Sequence, residues 1–462
     1  MKLAFHGAAK IVTGSCHYLE YRGTRILIDC GLYQGRKELV EDNRDDFGFD
    51  PKSIDFLLLT HGHLDHCGRI PLLVKRGFRG KILTTAATRE LARLVMLDSA
   101  RIQEEDARYA NYKKHQKGEY DEPVTPLYET LDALTSLDCF ADPVRYGRQV
   151  ELGPGIRVTY YDAGHILGAA SILVELSANG STTRITYSGD LGYGGRAILR
   201  DPVIPSAADI IVMETTYGNR LHKQLAPSIE ELYAAINMTL DRGGNVLIPS
   251  FALERSQELL YYLREGIEEG YLPENMPVFL DSPMAISATE IFRRHPECFD
   301  EETWKVHSSG RDPFALPNLT FSRETADSVA LKEATGSVII AGSGMATGGR
   351  IRHHLRHNLW RRETSVVFVG YAAIGTLARQ IIDGAEEVRI FGKPVDVAAD
   401  IFTIGGFSAH ADRDDLLAWH AQAGQPDVTF LVHGEEDSMK LFAEHLPSRQ
   451  VEIPDLHQVF EF

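Results

Sequence analysis

The sequence predicts an α/β protein in which a layered domain is interrupted by a second domain built on a mostly parallel sheet. Short apolar runs bounded by glycine or polar turns fill the first 60 residues and return at about 156–190. From about residue 206, strand-like and helix-like segments alternate in repeated βα units, which require a parallel sheet covered by helices. After about residue 394 the first style comes back, with strands that end in histidine loops. At 462 residues the chain should form about two or three domains. The expected division is 1–205 with 395–462 for the layered domain and 206–394 for the insertion.

The first 60 residues read as strands at KLAFHGA, SCHYLEY, TRILIDCG and IDFLLLT. RIPLLVKRG then has helical spacing, so the segment between lies on a loop at a strand's C-terminal end, where layered α/β folds place active sites. Residues 88–118 read as a helix with a polar, basic tip, and PVTPLYETLDALTSL as a turn and another helix. Strands return at GIRVTYYDAGH, SILVEL and TRITYSGD. DIIVMETTYG opens the insertion as a buried strand, and the helix after it is expected to start with a capping box formed by Ser228 and Glu231. NVLIPSF, PVFLDSP and SVIIAGSG each lead into a helix, and DIFTIGGFSAHAD and DVTFLVHGEE close the chain's strand series.

The loop THGHLDHCG at 60–68 places His61, His63, Asp65 and His66 within six positions. Imidazole and carboxylate suit a borderline cation such as zinc, and four donors so close on one loop cannot all reach one tetrahedral ion. His61 and His63 can share one metal while Asp65 and His66 face a second. Three further candidates end apolar strands beside glycines: His165 in DAGHILG, Asp190 in YSGDLG and His433 in FLVHGEE. Asp29 in RILIDCG suits a supporting carboxylate that orients a ligand. Taken alone, Glu214 reads equally as a strand-end carboxylate and His410 as a helix N-terminal residue. GSGMATGGR follows a strand and precedes a helix, where backbone N–H groups can bind an anion. It matches neither G-x-G-x-x-G nor a P-loop, so Ser343, Gly344 and Arg350 are candidates for a substrate backbone phosphate. Arg350, Arg352, His353, His354 and Arg356, followed by Arg361 and Arg362, form a local cationic run that reads equally well as a solvated helix face.

Composition narrows the function classes. Hydrophobic content of 44% and charged content of 24% are ordinary globular values. No apolar run is long enough for a bilayer, and the N-terminus reads as a strand, so a soluble cytoplasmic protein is expected. The five cysteines, Cys16, Cys30, Cys67, Cys139 and Cys298, are scattered and form no C-x-x-C pair, which argues against disulfides or a zinc ribbon. A net charge of −17 argues against broad nonspecific binding to nucleic acid while leaving room for a local cationic groove.

With these motifs in order, the chain resembles the metallo-β-lactamase superfamily and, within it, the β-CASP nucleases that include the pre-mRNA 3′-end processing endonuclease. Asp29, the 61–66 cluster, His165 and Asp190 match the superfamily motifs, while Glu214, His410 and His433 match those of β-CASP. The resemblance implies a four-layered αββα metallo-β-lactamase fold with an inserted Rossmann-like β-CASP domain. It implies two Zn²⁺ per chain, one on His61, His63 and His165 and the other on Asp65, His66 and His433, bridged by Asp190. It implies catalysis by Asp65, Asp190, Glu214 and His410, with His410 as general acid oriented by Glu214. The implied function is a zinc-dependent endoribonuclease that cuts single-stranded RNA with a two-metal-bound hydroxide, leaving 5′-phosphate and 3′-hydroxyl ends; exonucleolytic trimming is compatible. A small-molecule metallohydrolase and a non-catalytic scaffold in an RNA-processing complex are the alternatives. Partners expected besides RNA are a second copy of the chain or an RNA-processing protein, and no membrane.

Overall fold

The computed structural model describes residues 1–35, 37–119, 122–205 and 208–462. The described chain forms two compact units. The first comprises Met1–Gly194, Asp201–Leu221 and His410–Phe462, and the second Gly195–Arg200 and His222–Ala409.

Two sheets face each other in the first unit. A six-stranded sheet runs, edge to edge, Val459–Glu461, Lys2–Phe5, His17–Tyr21, Thr24–Ile28, Phe56–Leu58 and Lys81–Leu83. A seven-stranded sheet runs Val451–Glu452, Val428–Val432, Ile210–Glu214, Ser181–Tyr187, Ala170–Ala178, Ile156–Asp162 and Gln149–Gly153. Alternate residues point between them, because side chains along a strand alternate faces. Leu3, Phe5, Leu19, Ile26, Ile28 and Leu58 from the first sheet meet Tyr160, Ile172, Val174, Ile185, Val212 and Phe430 from the second, all nearly sealed from solvent. Leu27, Leu57 and Ile82 on the outer face of the first sheet are buried too. On the outer face of the second, Thr429 bonds to His420 of the helix Arg413–Ala423. Helices therefore cover both outer faces, and the expected αββα layering is what the chain builds.

The second unit is built on a six-stranded sheet, entirely parallel, in the order Leu319–Phe321, Val278–Leu280, Val338–Ala341, Val246–Pro249, Ser365–Val369 and Asp400–Ile404. Its central strands are buried throughout, as parallel strands covered on both sides must be. An antiparallel hairpin, Glu387–Ile390 with Lys393–Asp396, stands beside the sheet in the chain order.

Three local features depart from the sequence expectation. The strand Ile210–Glu214, expected to open the insertion, pairs in parallel with Ser181–Tyr187 and Val428–Val432 in the first unit. Asp400–Ile404, expected to resume the layered domain, pairs with Ser365–Val369 in the second. An apolar strand carries no mark of its partner, and partner choice is a long-range event. Residue 206, where the expected boundary falls, lies outside the described residues. The third departure is Ser228, which does not cap a helix start. The helix runs Leu225–Asp241 with Gln224 before it, and the Ser228 hydroxyl donates back to Gln224 O at 2.9 Å inside the first turns. No helix among the described residues is long and apolar enough to cross a membrane.

Candidate metal centre

Strand ends of the first unit deliver the polar residues to one place. The chain leaves Phe56–Leu58 into the histidine loop, and the four-residue helix Leu64–Cys67 turns Asp65 and His66 back toward it. Close backbone approach is needed here: a Cβ on Gly31 would sit 1.6 Å from Asp65 O, and one on Gly192 1.8 Å from Gly164 O. Any side chain at these glycines would push apart the loops that carry Asp65, His165 and Asp190.

Two donor clusters result. His61 Nε2 lies 3.1 Å from His63 Nδ1, which lies 3.2 Å from His165 Nε2. His66 Nε2 lies 3.2 Å from His433 Nε2, which is 3.4 Å from Asp65 Oδ2. Asp190 stands between them. Its Oδ2 is 3.5 Å from His61 and 3.7 Å from His165, while its Oδ1 is 3.3 Å from His66 and 3.6 Å from His433 Nδ1. The donor sets His61, His63, His165, Asp190 and Asp65, His66, His433 each bring one ligand atom per residue within 4.8 Å of one another, and a third set, Asp190, Glu214, His433, overlaps them.

Proton bookkeeping fits these residues to a metal. The Thr60 hydroxyl has one proton and gives it to Asp29 Oδ2 at 2.8 Å, so the 3.0 Å contact with His61 Nδ1 must be donated by the imidazole. His61 Nε2 is then a bare lone pair facing the cluster. His66 Nδ1 donates to Asp29 Oδ2 at 2.7 Å, which likewise leaves Nε2 inward. Nitrogens bound at roughly 2.0–2.1 Å around a tetrahedral zinc lie about 3.3 Å apart, close to the spacings seen here. Burial holds His61 well below its ordinary pKa and lowers His63 to about 4, so both are neutral, as ligation requires. Burial also opposes charge on His66, but Asp190 and Asp29 outweigh it and raise its pKa. The carboxylates thus call for positive charge at the spot where a cation would sit.

His410 and Glu214 adjoin this centre. Glu214 Oε1 accepts from Leu191 N at 2.6 Å and lies 3.2 Å from His410 Nδ1, and Oε2 accepts from Thr216 N at 3.3 Å. Burial disfavours the imidazolium, yet the Glu214 charge and hydrogen bond, with Asp190 and Asp65 behind, raise His410 to about 9. Its side chain is 20% exposed, and His63 is also part-exposed, against 4% or less for His61, His66, His165 and His433. Asp29, with a left-handed φ of 62°, is held by Thr60 N and Oγ1, and its Oδ2 also accepts from His66 Nδ1.

Two supporting residues escaped sequence reasoning. Thr60 fixes Asp29 and His61 together, and Thr216 Oγ1 lies 3.1 Å from His433 Nδ1. Their only sequence signal is adjacency to the motifs. The glycine-rich loop behaves differently from its expectation. Arg350, expected on a phosphate, turns inward: it donates to Asp281 Oδ1 and Ser322 O at 2.8 Å and to Arg323 O at 2.9 Å. A buried carboxylate without that cation would be costly, which explains the orientation. Ser343 Oγ bonds within its own loop to Gly348, and Gly344 packs under Phe251.

Fold and donor clusters together are those of a metal-dependent hydrolase. Residues 10–139 match the model of the metallo-β-lactamase superfamily, 256–381 that of the Beta-Casp domain, and 394–453 that of the Zn-dependent metallo-hydrolase RNA specificity domain. The chain is 39% identical over 454 residues to Ribonuclease TTHA0252 of Thermus thermophilus, covering 98% of this chain and 97% of the relative. It is 31% identical over 472 residues to the transcription termination factor FttA of Methanocaldococcus jannaschii, covering 98% and 70%. A solved structure of a protein of unknown function from Enterococcus faecalis shares the fold over 99% of both chains, with a TM-score of 0.52 at 12% identity. The chain belongs to the β-CASP family of the metallo-β-lactamase superfamily.

Proposed function

We propose that the protein is a zinc-dependent endoribonuclease acting on single-stranded RNA. One ion would be held by His61, His63 and His165 and a second by Asp65, His66 and His433, with Asp190 shared. Bound there, such ions activate water and offset negative charge on a phosphate. The observation that carries this reading is Asp190, whose two oxygens face two separate sets of imidazoles. Glu214 fixes the His410 ring through Nδ1 and favours its protonated form, which leaves the Nε2 proton for the departing sugar oxygen. Water adds to phosphorus as the bond to the 3′ oxygen breaks, so the products are a 5′-phosphate and a 3′-hydroxyl. RNA is the favoured substrate because relatives are named a ribonuclease and transcription termination factors. Ser343 and Gly344 would meet a backbone phosphate, with Arg350 steadying their loop through Asp281.

End-group analysis of fragments from a long RNA with both ends blocked tests substrate, bond and mode together. Internal cuts with 5′-phosphate ends are expected. Cyclic phosphates would overturn the proton assignment, and an uncut RNA the whole reading.

A further inference from the structure

The cationic run that follows the glycine-rich loop divides into two faces. Arg350 and His354 turn in to Asp281, whose Oδ2 lies 2.6 Å from His354 Nε2. The other face of the helix Ile351–Asn358 carries the exposed His353 and His357 and the half-buried Arg352 and Arg356, with half-buried Arg361 and exposed Arg362 continuing it, and Arg352 Nε is buried without a hydrogen-bond partner. Two aromatic side chains border this face. Phe391, at the turn of the neighbouring hairpin, is 41% exposed, and Trp360, just past the helix, is 54% exposed. The Arg352 guanidinium lies 4.5 Å from the Phe391 ring centre, where His353 also packs at 4.5 Å, and Arg361 lies 5.3 Å from that of Trp360.

The charge on this face is not balanced within the unit. Among the described residues, Arg352, Arg356, Arg361 and Arg362 have no carboxylate within 4.0 Å, although the chain carries 65 acidic residues against 48 lysines and arginines. Elsewhere in the same unit Arg242, Arg264, Arg293 and Arg379 each reach one at 2.6–2.8 Å. Burial lowers the pKa of His353 and of His357, and the charged neighbours that lower them further are basic: His354, His357 (on His353), Arg352, Arg356, Arg361 and Lys332. Lys332 has a weak carboxylate neighbour in the exposed Glu333, at 3.8 Å. On the hairpin, the acids Glu387 and Asp396 stand opposite each other at the end far from Phe391, and the strand residues Arg389 and Lys393 lie near its turn. Clustered like charges repel, so this face favours an anion with several charges spaced along it. A lone phosphate or an acidic peptide would engage the arginines and leave the solvent-facing parts of Phe391 and Trp360 uncovered. A single-stranded nucleic acid uses both, setting phosphates on guanidinium groups and bases on aromatic faces.

We propose that the outward face of the helix Ile351–Asn358, with Phe391 and Trp360, is a docking surface for single-stranded RNA that adds to the hold on long substrates. It rests on the ribonuclease reading and names residues which that reading does not use. The test compares the metal-loaded protein with the double variant Arg352→Ser/Arg356→Ser. Cleavage is measured on a long unstructured RNA and on an oligonucleotide too short to span both rings, and RNA affinity is followed across salt concentrations. For the long RNA, KM should rise about tenfold with kcat unchanged, because side chains that grip phosphates support binding uniformly. The salt slope of log K should become shallower by about 1.4, roughly 0.7 for each single-strand phosphate that the variant no longer neutralises. Cleavage of the short oligonucleotide and the melting temperature should not change. Phe391→Ala should weaken binding of the long RNA and leave the slope alone, which separates stacking from charge. Replacement of both arginines by lysine should restore the slope. If the parent cuts RNA and the serine variant matches it in KM and slope, the docking surface is refuted and the ribonuclease reading stands. If the parent neither cuts nor binds RNA, both fail.

Discussion

The single hydroxyl proton of Thr60 decides which imidazole nitrogen of His61 faces the centre. Given to Asp29, it obliges His61 to donate from Nδ1 and to offer Nε2 to a cation. Thr60→Val should therefore weaken metal affinity about 10- to 100-fold, the usual effect of removing a group that orients a ligand, in a titration with a competing chelator. Unchanged affinity would mean that packing alone sets the ring. Asp190 faces both donor sets, so Asp190→Asn should lower metal content and RNA cleavage together. Full activity with intact metal would remove it from the bridge. His410 approaches the donor residues without belonging to any of the three donor sets. His410→Ala is expected to cut the rate by about 10²–10⁴, the range for removal of a general acid, while elemental analysis still finds the parent's metal content. A fall in metal content in this variant would make His410 a ligand. His61, His63, Asp65 and His66 were legible in the sequence because donors on one loop betray themselves by spacing, and Asp190 because it ends an apolar strand beside glycine, whereas His410 and Glu214 were pointed to only by the family resemblance. Thr60 and Thr216 were not legible, since one hydroxyl beside a motif looks like any other.

At the level of elements, the two ends of the chain are joined in one sheet. Lys2–Phe5 pairs with Val459–Glu461, and beside this seam His6 Nδ1 lies 2.8 Å from His457 Nδ1. Only one ring can donate in that hydrogen bond. Burial first, and then His457, Arg69 and Lys2, lower the pKa of His6 from 6.5 to about 4. The folded state thus binds this proton less readily than the unfolded chain. The stability is present in full above about pH 6.5 and is lost as pH falls toward 4, by about 3 kcal/mol at most. Melting curves at neutral and mildly acid pH should show a smaller acid loss in His6→Gln than in the parent; equal losses would exclude His6 as the sensor. Strands and helices of this kind were largely legible from periodicity. Exceptions had local causes: Ser228 resembles a cap, but the helix begins a turn earlier because Leu225 and Ala226 can already take helical backbone.

For the whole molecule, the candidate metal centre gathers Asp29, Asp65 and Asp190 and five histidine rings within a single unit. Binding that involves only the folded chain stabilises it by mass action, about 2.7 kcal/mol at a hundredfold excess of free metal over Kd. Chelation should lower the melting temperature of the first unit in calorimetry, and added zinc should restore it. An unaltered transition would mean that the site is built without help from an ion. By itself the sequence determined which residues are candidates to carry the chemistry of this protein. Its histidine loop, strand-end carboxylates and βα rhythm are local patterns, and local patterns survive in one dimension. Only the tertiary structure decided which sheet Ile210–Glu214 and Asp400–Ile404 join, that Arg350 turns in to Asp281, and that Asp190 stands between two sets of imidazoles. These are choices among partners far apart in the chain, settled by packing and buried charge and not by the residues' own propensities.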